Sequence, residues 1–147
     1  MKGVITMIVF VLSVFNLFAQ TEKEVTKSVA LNQTEVAYLM LPGDVKVTEW
    51  DKPFIRVTTT IAVANMTDQI VERLIMVGRY SLESKEDKTG RMMVVKMPKV
   101  DHYVAVQGVN LVESYSFDVQ APEGYRVIVK EDLNPNVSQN VSLEQAI

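Results

Sequence analysis

The chain has 147 residues, 48% of them hydrophobic, with no cysteine and a formal net charge of -3. The lack of cysteine excludes disulfides, thiolate nucleophiles and cysteine-ligated iron–sulfur or zinc sites. The acidic balance argues against a nucleic-acid partner, because phosphate binding needs clustered lysine and arginine. The length indicates one domain once a leader is removed.

The first 20 residues have the composition of a secretory signal peptide. Lys2 supplies a positive charge, residues 3–18 are almost wholly apolar, and the small Ala19 precedes polar sequence that begins at Thr21. This order predicts export, with cleavage near Ala19 or Gln20. An uncleaved anchor is the alternative, although a spanning helix needs about 20 apolar residues and this stretch is shorter. We expect no membrane span after the leader.

Alternating apolar side chains predict β-strands in the first half of the mature chain. Strands are expected near Val25, near Val36 and over residues 44–50. The clearest strand covers 54–63, where seven of ten residues are β-branched. The short turn at 51–53 predicts that the last two strands pair as a β-hairpin. The predicted buried face of 54–63 consists of Ile55, Val57, Thr59, Ile61 and Val63.

Between Thr67 and Val77 the apolar residues recur at helical spacing, which predicts one α-helix over about 67–77. Gly78 then marks its C-terminal end. Alternation resumes afterwards, and the strand expected over 91–97 has apolar residues on both faces, which is typical of a central strand or of one covered by the helix. Further strands are expected near 80–85, 104–106, 115–119 and 125–129.

These elements predict a mainly β fold, an antiparallel β-sandwich or a short β-solenoid-like sheet with one α-helix. The expected organisation is a signal peptide over 1–20, a single β-rich domain over 21–130 and a polar C-terminal tail over 131–147.

No pattern of residue types predicts a catalytic or metal site. The only histidine, His102, follows Asp101 in a polar connection, and a catalytic dyad there would need a nucleophile and an orienting group in space. Acidic residues cluster over 44–51 and 83–87, but their spacing does not match a calcium-binding loop. We expect no catalytic, cofactor-binding or metal-binding residue. A hydrolase built on these acidic loops is the least favoured hypothesis.

Trp50 and Asp51 are the candidate partner contacts. Trp50 is the only tryptophan and directly precedes a turn. A tryptophan in this position either covers the end of a sheet or exposes its ring, where it can stack on a sugar or a protein partner.

The segment GDVKVTEWDKPFIRV, from Gly43 to Val57, resembles the opening strands of exported bacterial adhesin-like families of unknown function, of the auto-transporter adhesin head type common in Bacteroidetes. The end of the leader, Leu-Phe-Ala-Gln, and the strand-turn-strand unit over 114–129 are similar as well. Those families are all-β, whereas this chain is shorter and its predicted helix interrupts the strands. The resemblance implies export and a β scaffold, and it implies no catalytic residues.

The leading hypothesis is therefore a non-enzymatic exported cell-envelope protein, an adhesin-like structural or interaction module in the periplasm or on the outer surface of a Gram-negative bacterium. It would present a sheet face, an edge strand or loops to a protein or glycan partner. The alternative is a small-ligand or carbohydrate-binding periplasmic protein that uses Trp50 and nearby tyrosines.

Overall fold

The structure is a computed structural model that describes residues 20–130; the predicted signal peptide, except Gln20, and the predicted polar tail lie outside the described residues. Within this range the chain forms two four-stranded sheets, a small hairpin and one α-helix. The elements are β1 (Thr21–Ala30), β2 (Val36–Met40), β3 (Asp44–Trp50), β4 (Phe54–Val63), α1 (Asp68–Met76), β5 (Glu83–Glu86), β6 (Met92–Lys96), a 3-10 turn (Pro98–Asp101), β7 (Ala105–Val106), β8 (Val109–Asn110), β9 (Glu113–Pro122) and β10 (Arg126–Val129).

The two large sheets confirm the mainly β class but are not wholly antiparallel. Sheet A has the order β1-β4-β9-β3 and sheet B the order β10-β2-β6-β5. In sheet A, β3 runs parallel to β9, and in sheet B, β2 runs parallel to both β10 and β6. The reason is that the chain changes between the two sheets five times, after β2 and after β9 among other places, so the strands that run parallel come from separate passes of the chain.

The predicted hairpin of residues 44–50 and 54–63 is wrong, because β9 lies between β3 and β4 and pairs with both. The turn at 51–53 crosses the end of β9, where Trp50 is the register partner of Pro122. Proline has no N–H and cannot extend the ladder there. Alternation of side chains shows which face of a strand is buried but not which strand lies beside it.

The inward faces of the two sheets share one hydrophobic core. The predicted buried face of β4 is confirmed, because none of its five side chains is more than 1% exposed. Sheet B contributes Ala37, Leu39, Met93 and Val95 from β2 and β6. Full burial of each large aliphatic side chain stabilises the fold by about 1.5–3 kcal/mol before the loss of conformational entropy is counted.

The predicted helix is confirmed as α1, and Gly78 follows it with φ +77°, a conformation that favours glycine. Val71 on α1 is fully buried against the core. The other side of the helix faces edge strand β1, where the Lys23 ammonium lies 2.8 Å from Asp68 and 3.1 Å from Glu72. None of the helices in the described range is long and apolar enough to cross a membrane.

Gly43 allows the chain to turn from sheet B into sheet A. A Cβ atom at this position would overlap the backbone carbonyl of Tyr115 on β9. The close approach lets Asp44 begin its parallel pairing with Ser116 directly after the turn. The turn at Gly43 is therefore a corner between the sheets.

Candidate functional site

The outer side of sheet B carries apolar side chains where solvent-facing polar residues are expected. Along β2 and β6 the inward residues Ala37, Leu39, Met93 and Val95 fill the core. The alternate residues point outward and are also apolar, because side chains on a strand alternate between the two faces. We define the apolar face as the outward residues Val36, Tyr38 and Met40 of β2, Met92 and Val94 of β6, and Ile128 of β10.

Strand register makes these six side chains neighbours. Tyr38 on β2 lies between Ile128 on β10 and Val94 on β6, and Val36 lies beside Met92. Adjacent strands are about 4.8 Å apart, so the side chains form a continuous surface. Met40 is 38% exposed and the other five are half-buried. None of the six belongs to the hydrophobic cluster between the sheets, whereas the inward Val127 of β10 packs against it.

Positively charged side chains surround the apolar face. We define the cationic rim as the outward, exposed residues Lys85, Lys96, Arg126 and Lys130. Lys85 is the register partner of Val94, Lys96 that of Met40 and Arg126 that of Val36. Within residues 20–130 none of the four forms an ion pair. Two acids lie in the same outward rows: Glu83 is opposite Lys96, and the Asp87 carboxylate accepts a hydrogen bond from the Met92 N–H.

Two depressions flank the apolar face. A small one of about 150 Å³ lies at the C-terminal ends of β2 and β6, where Met40, Lys96 and Lys130 meet Pro98 and Asp101. A larger, open one of about 810 Å³ follows β5 and includes Val94, Lys85 and Lys96 in its lining. The surface around the face is therefore concave on two sides. Lysines outnumber carboxylates in both depressions, by four to three (Glu83, Glu86 and Asp87) in the larger one and by two to one (Asp101) in the smaller one.

The outer side of sheet A is chemically different. Its outward positions hold mainly polar and charged side chains, and the hydroxyl groups of Thr26 and Thr58 lie 3.4 Å apart across β1 and β4. Such a face is stable in water without a partner. The outward hydroxyl residues are Thr26, Ser28, Thr48, Thr58, Thr60, Ser114 and Ser116.

Charged residues protect two of the sheet edges against the addition of a strand. On β1 the inward-directed Lys23 and Lys27 bind α1 and the Leu82 carbonyl oxygen, respectively. All residues of β5, Glu-Ser-Lys-Glu, are exposed and three are charged. Short, charged edge strands and inward-pointing lysines oppose edge-to-edge pairing. By contrast, none of the six side chains of the apolar face on sheet B is charged.

The candidate contact Trp50 is the last residue of β3 in sheet A, and Asp51 follows it in the turn, so neither belongs to the apolar face of sheet B. The Trp50 indole N–H donates to the Phe54 carbonyl oxygen over 2.9 Å. The Arg56 guanidinium lies 4.5 Å from the centre of the indole ring, and the Phe54 ring packs edge-on at 4.9 Å. Asp51 is exposed. These contacts show Trp50 covering the end of sheet A, and they do not favour the carbohydrate-binding hypothesis, which stays a prediction.

A buried charged cluster joins the segment that follows α1 to the inward side of β9. Arg79, directly after the helix, donates two hydrogen bonds of 2.8 Å to the Glu113 carboxylate on β9. The hydroxyl groups of Tyr80 and Tyr115 each donate to the same carboxylate over 2.7 Å. Arg79 also donates to the carbonyl oxygens of Lys99 and His102, which holds the 3-10 turn against the sheet.

The Glu113 carboxylate is charged, and its hydrogen-bond partners lie within the cluster. Burial alone would raise the pKa of the Glu113 carboxyl, but the hydrogen bonds from Arg79, Tyr115 and Tyr80 outweigh it and hold that pKa below its usual value. Burial, followed by the bond to Glu113, raises the pKa of both tyrosine hydroxyls, so both remain protonated donors. Every hydrogen-bonding group of the carboxylate has a partner, which indicates a structural role.

Residues 20–130 contain no group of three or more histidine, aspartate or glutamate side chains arranged to hold a metal ion. His102 is exposed, and it is its backbone carbonyl that takes part in the Arg79 cluster.

The apolar face was missed by the sequence-based search for site residues, which considered reactive groups and the lone tryptophan. The available signal was the strand over 91–97 with apolar residues on both faces. The structure confirms that this strand, β6, is central in its sheet, between β2 and β5. The helix does not cover it, because α1 packs beside β1 of sheet A.

Comparison with known proteins adds little. No protein-family model matches the sequence, and no curated protein matches it. Among solved structures, a "putative cell adhesion protein" from Clostridium sporogenes is similar at 10% sequence identity with a TM-score of 0.41. The similarity covers 74% of this chain and 46% of that one, so the chain spans less than half of that protein. A similarity of this size carries no functional argument, and the Bacteroidetes-type resemblance stays a prediction.

Proposed function

We propose that this protein is a non-enzymatic exported cell-envelope module, adhesin-like in that it holds another protein through the apolar face of sheet B. The observation that supports the proposal is the continuous set of six outward apolar side chains within a cationic rim. Exposed apolar patches bordered by polar residues are typical of interaction sites. Covering the patch gains about 25 cal/mol for each Å² of apolar surface removed from water.

The size of the patch indicates that the rim takes part in binding. The face is three strands wide and three outward rows long, about 10 by 13 Å from strand spacing and rise. A stable protein interface buries about 800 Å² on each partner. The partner must therefore extend over the rim and the two depressions, where Lys96 lines both.

Photo-cross-linking in the producing cell tests the binding proposal. A photoreactive benzoylphenylalanine replaces Val94 at the centre of the apolar face or, as the matched control, the outward Thr58 on central strand β4 of sheet A. We expect a discrete higher-mass adduct from position 94, none from position 58, and loss of the adduct when Tyr38→Glu is added. Absence of an adduct at 94, or equal adducts at both positions, would contradict the proposal.

Export is supported by the order of charge, apolar stretch and small residue over residues 1–20. Cell fractionation with N-terminal sequencing tests it. We expect the mature protein outside the cytoplasm with its first residue at 20 or 21. A full-length chain in the cytoplasmic fraction would contradict export but would leave the binding surface untouched.

The non-enzymatic part of the proposal is supported by the structural role of Glu113, whose carboxylate oxygens are fully occupied by Arg79 and two tyrosines. A panel of hydrolase substrates tests it. Turnover abolished by a single substitution among the acidic residues of 83–87 or 44–51 would overturn this part.

A further inference from the structure

We propose that the segment held by the apolar face is an acidic amphipathic α-helix of about three turns, supplied by a separate protein. This inference rests on the proposed function and specifies the chemistry of the partner. It follows from the shape of the face, from its charge and from the state of its backbone.

The backbone beneath the face offers no hydrogen-bonding partner to an extended peptide that lies across β2 and β6. The strands β2 and β6 already have hydrogen-bonded neighbours on both sides. A peptide lying flat on the face would find no backbone partners there, and a buried unpaired N–H or C=O group is costly. A helix satisfies its own backbone groups and presents only side chains. Sheets bury an apolar face against helices in this way in layered folds.

The dimensions of the face match one helix. A helix with its side chains is about 10 Å wide, equal to the width across β10, β2 and β6. Three turns extend about 16 Å, enough to cross from Arg126 at one end of the face to Lys130 at the other, about 13 Å away by strand rise.

The charge of the rim favours an acidic partner. In a chain of net charge -3, four cations that form no ion pair within residues 20–130 gather around one apolar surface, against the two acids Glu83 and Asp87. Lys96 and Lys130 share the small depression with Met40 and Asp101, and the two cations exceed the one carboxylate there, so the depression suits a carboxylate side chain of the helix. Complementary charge of this kind sets specificity and the rate of association more than affinity.

The same features disfavour two other occupants. A second copy of the chain would bring two cationic rims together, and like charges across an interface oppose binding. A lipid surface requires apolar side chains that protrude into it, whereas five of the six side chains here are half-buried between their neighbours and only Met40, at 38%, is exposed.

The test uses two synthetic 14-residue helical peptides that share the same leucines at positions i, i+3, i+4 and i+7. One carries glutamate at the flanking positions and the other carries lysine. Fluorescence anisotropy of each labelled peptide is measured with the mature chain, residues 20–147. We expect binding of the acidic peptide and at least about tenfold weaker binding of the basic one. The double variant Lys96→Glu/Lys130→Glu should reverse the preference.

Equal binding of both peptides would overturn the charge assignment. Binding of neither peptide while the cross-link at position 94 persists would overturn the helix proposal and leave the proposed function standing. Loss of the cross-link as well would overturn both. Sedimentation with phosphatidylglycerol vesicles, a dimeric mass abolished by Val94→Glu, or peptide binding only after removal of residues 131–147 would each assign the face to a different occupant and contradict the proposal.

Discussion

In a folded protein, charged side chains usually lie at the surface and large apolar side chains in the core. The buried charged cluster and the apolar face are opposite exceptions to this rule. The cluster places the ion pair of Arg79 and Glu113 inside the fold, where charge is costly unless it is paired. The face places six apolar side chains outside, where they are costly unless they are covered. Yet the cluster finds all its hydrogen-bonding partners within residues 20–130, and the apolar face does not find its cover there. The first exception therefore serves stability, and the second indicates binding.

The largest expected effect is the difference in stability between glutamate substitutions on the inner and outer sides of sheet B. Val95 is fully buried and Val94, its neighbour on β6, faces outward. Val95→Glu should prevent stable folding, because an unpaired charge in the core costs more than about 4 kcal/mol. Val94→Glu should remain folded with a loss of about 1 kcal/mol or less while partner binding is lost. Urea unfolding followed by circular dichroism measures both. Similar destabilisation by the two substitutions would show that the outer side is not a free face.

The next effect concerns the buried cluster. Glu113→Ala leaves the Arg79 guanidinium buried without its carboxylate, and loss of one partner of a buried pair costs about 3–5 kcal/mol. The free energy of unfolding measures this loss, with Glu123→Ala as an exposed control that should change it by less than about 0.5 kcal/mol. Acidic-peptide binding by the remaining folded protein should be unchanged. Weakened binding at unchanged stability would reverse the roles assigned to the two regions.

Acid should weaken the cluster without affecting the apolar face. The folded-state pKa of Glu113 is below its usual value, so the carboxylate contributes stability that is fully present above the unfolded-state pKa and is lost as pH falls through the folded-state pKa. Urea midpoints measured from about pH 6 to pH 3 should fall more steeply for the native chain than for Glu113→Gln. Parallel pH profiles for the two proteins would contradict this assignment.

The smallest effect concerns the outer side of sheet A. Arg56→Ala removes the guanidinium that covers the Trp50 ring and its bonds to Gln120. An exposed cation–π contact is worth about 0.5–1 kcal/mol, so the fold should persist. Because Trp50 is the only tryptophan, its emission alone should shift to the red. Peptide binding at sheet B should not change, and a loss of binding would show that the two outer faces are coupled.

The spacing of apolar residues along the sequence correctly predicted local properties, namely the type of an element and which of its sides is buried. The alternation in 54–63 correctly gave the buried side of β4, and the helical spacing after Thr67 gave α1. Neighbouring strands could not be predicted, because pairing of β3 with β9 depends on residues about 70 positions apart in sequence. The expected hairpin failed for this reason.

The candidate site was even less accessible from the sequence. Val94 faces outward and Val95 faces inward, but both are valines, so the sequence alone does not distinguish them. Only the position of the helix, beside β1 and not over β6, shows that no element within residues 20–130 packs over the outer side of β6. The Arg79 cluster could not be predicted from the sequence either, because Glu113 lies 34 residues from Arg79 along the chain.

Methionine oxidation, read by mass spectrometry, tests the central claim most directly. Met40 and Met92 belong to the apolar face, Met93 and Met97 are each 3% exposed in the core, and Met76 on α1 is 80% exposed. In the purified protein we predict oxidation of Met40, Met92 and Met76 but not of the two core methionines, because oxidation follows exposure. In intact cell envelopes, Met40 and Met92 should become protected while Met76 remains reactive. Equal reactivity of Met92 in both samples, or oxidation of Met93 as fast as that of Met92, would contradict the account.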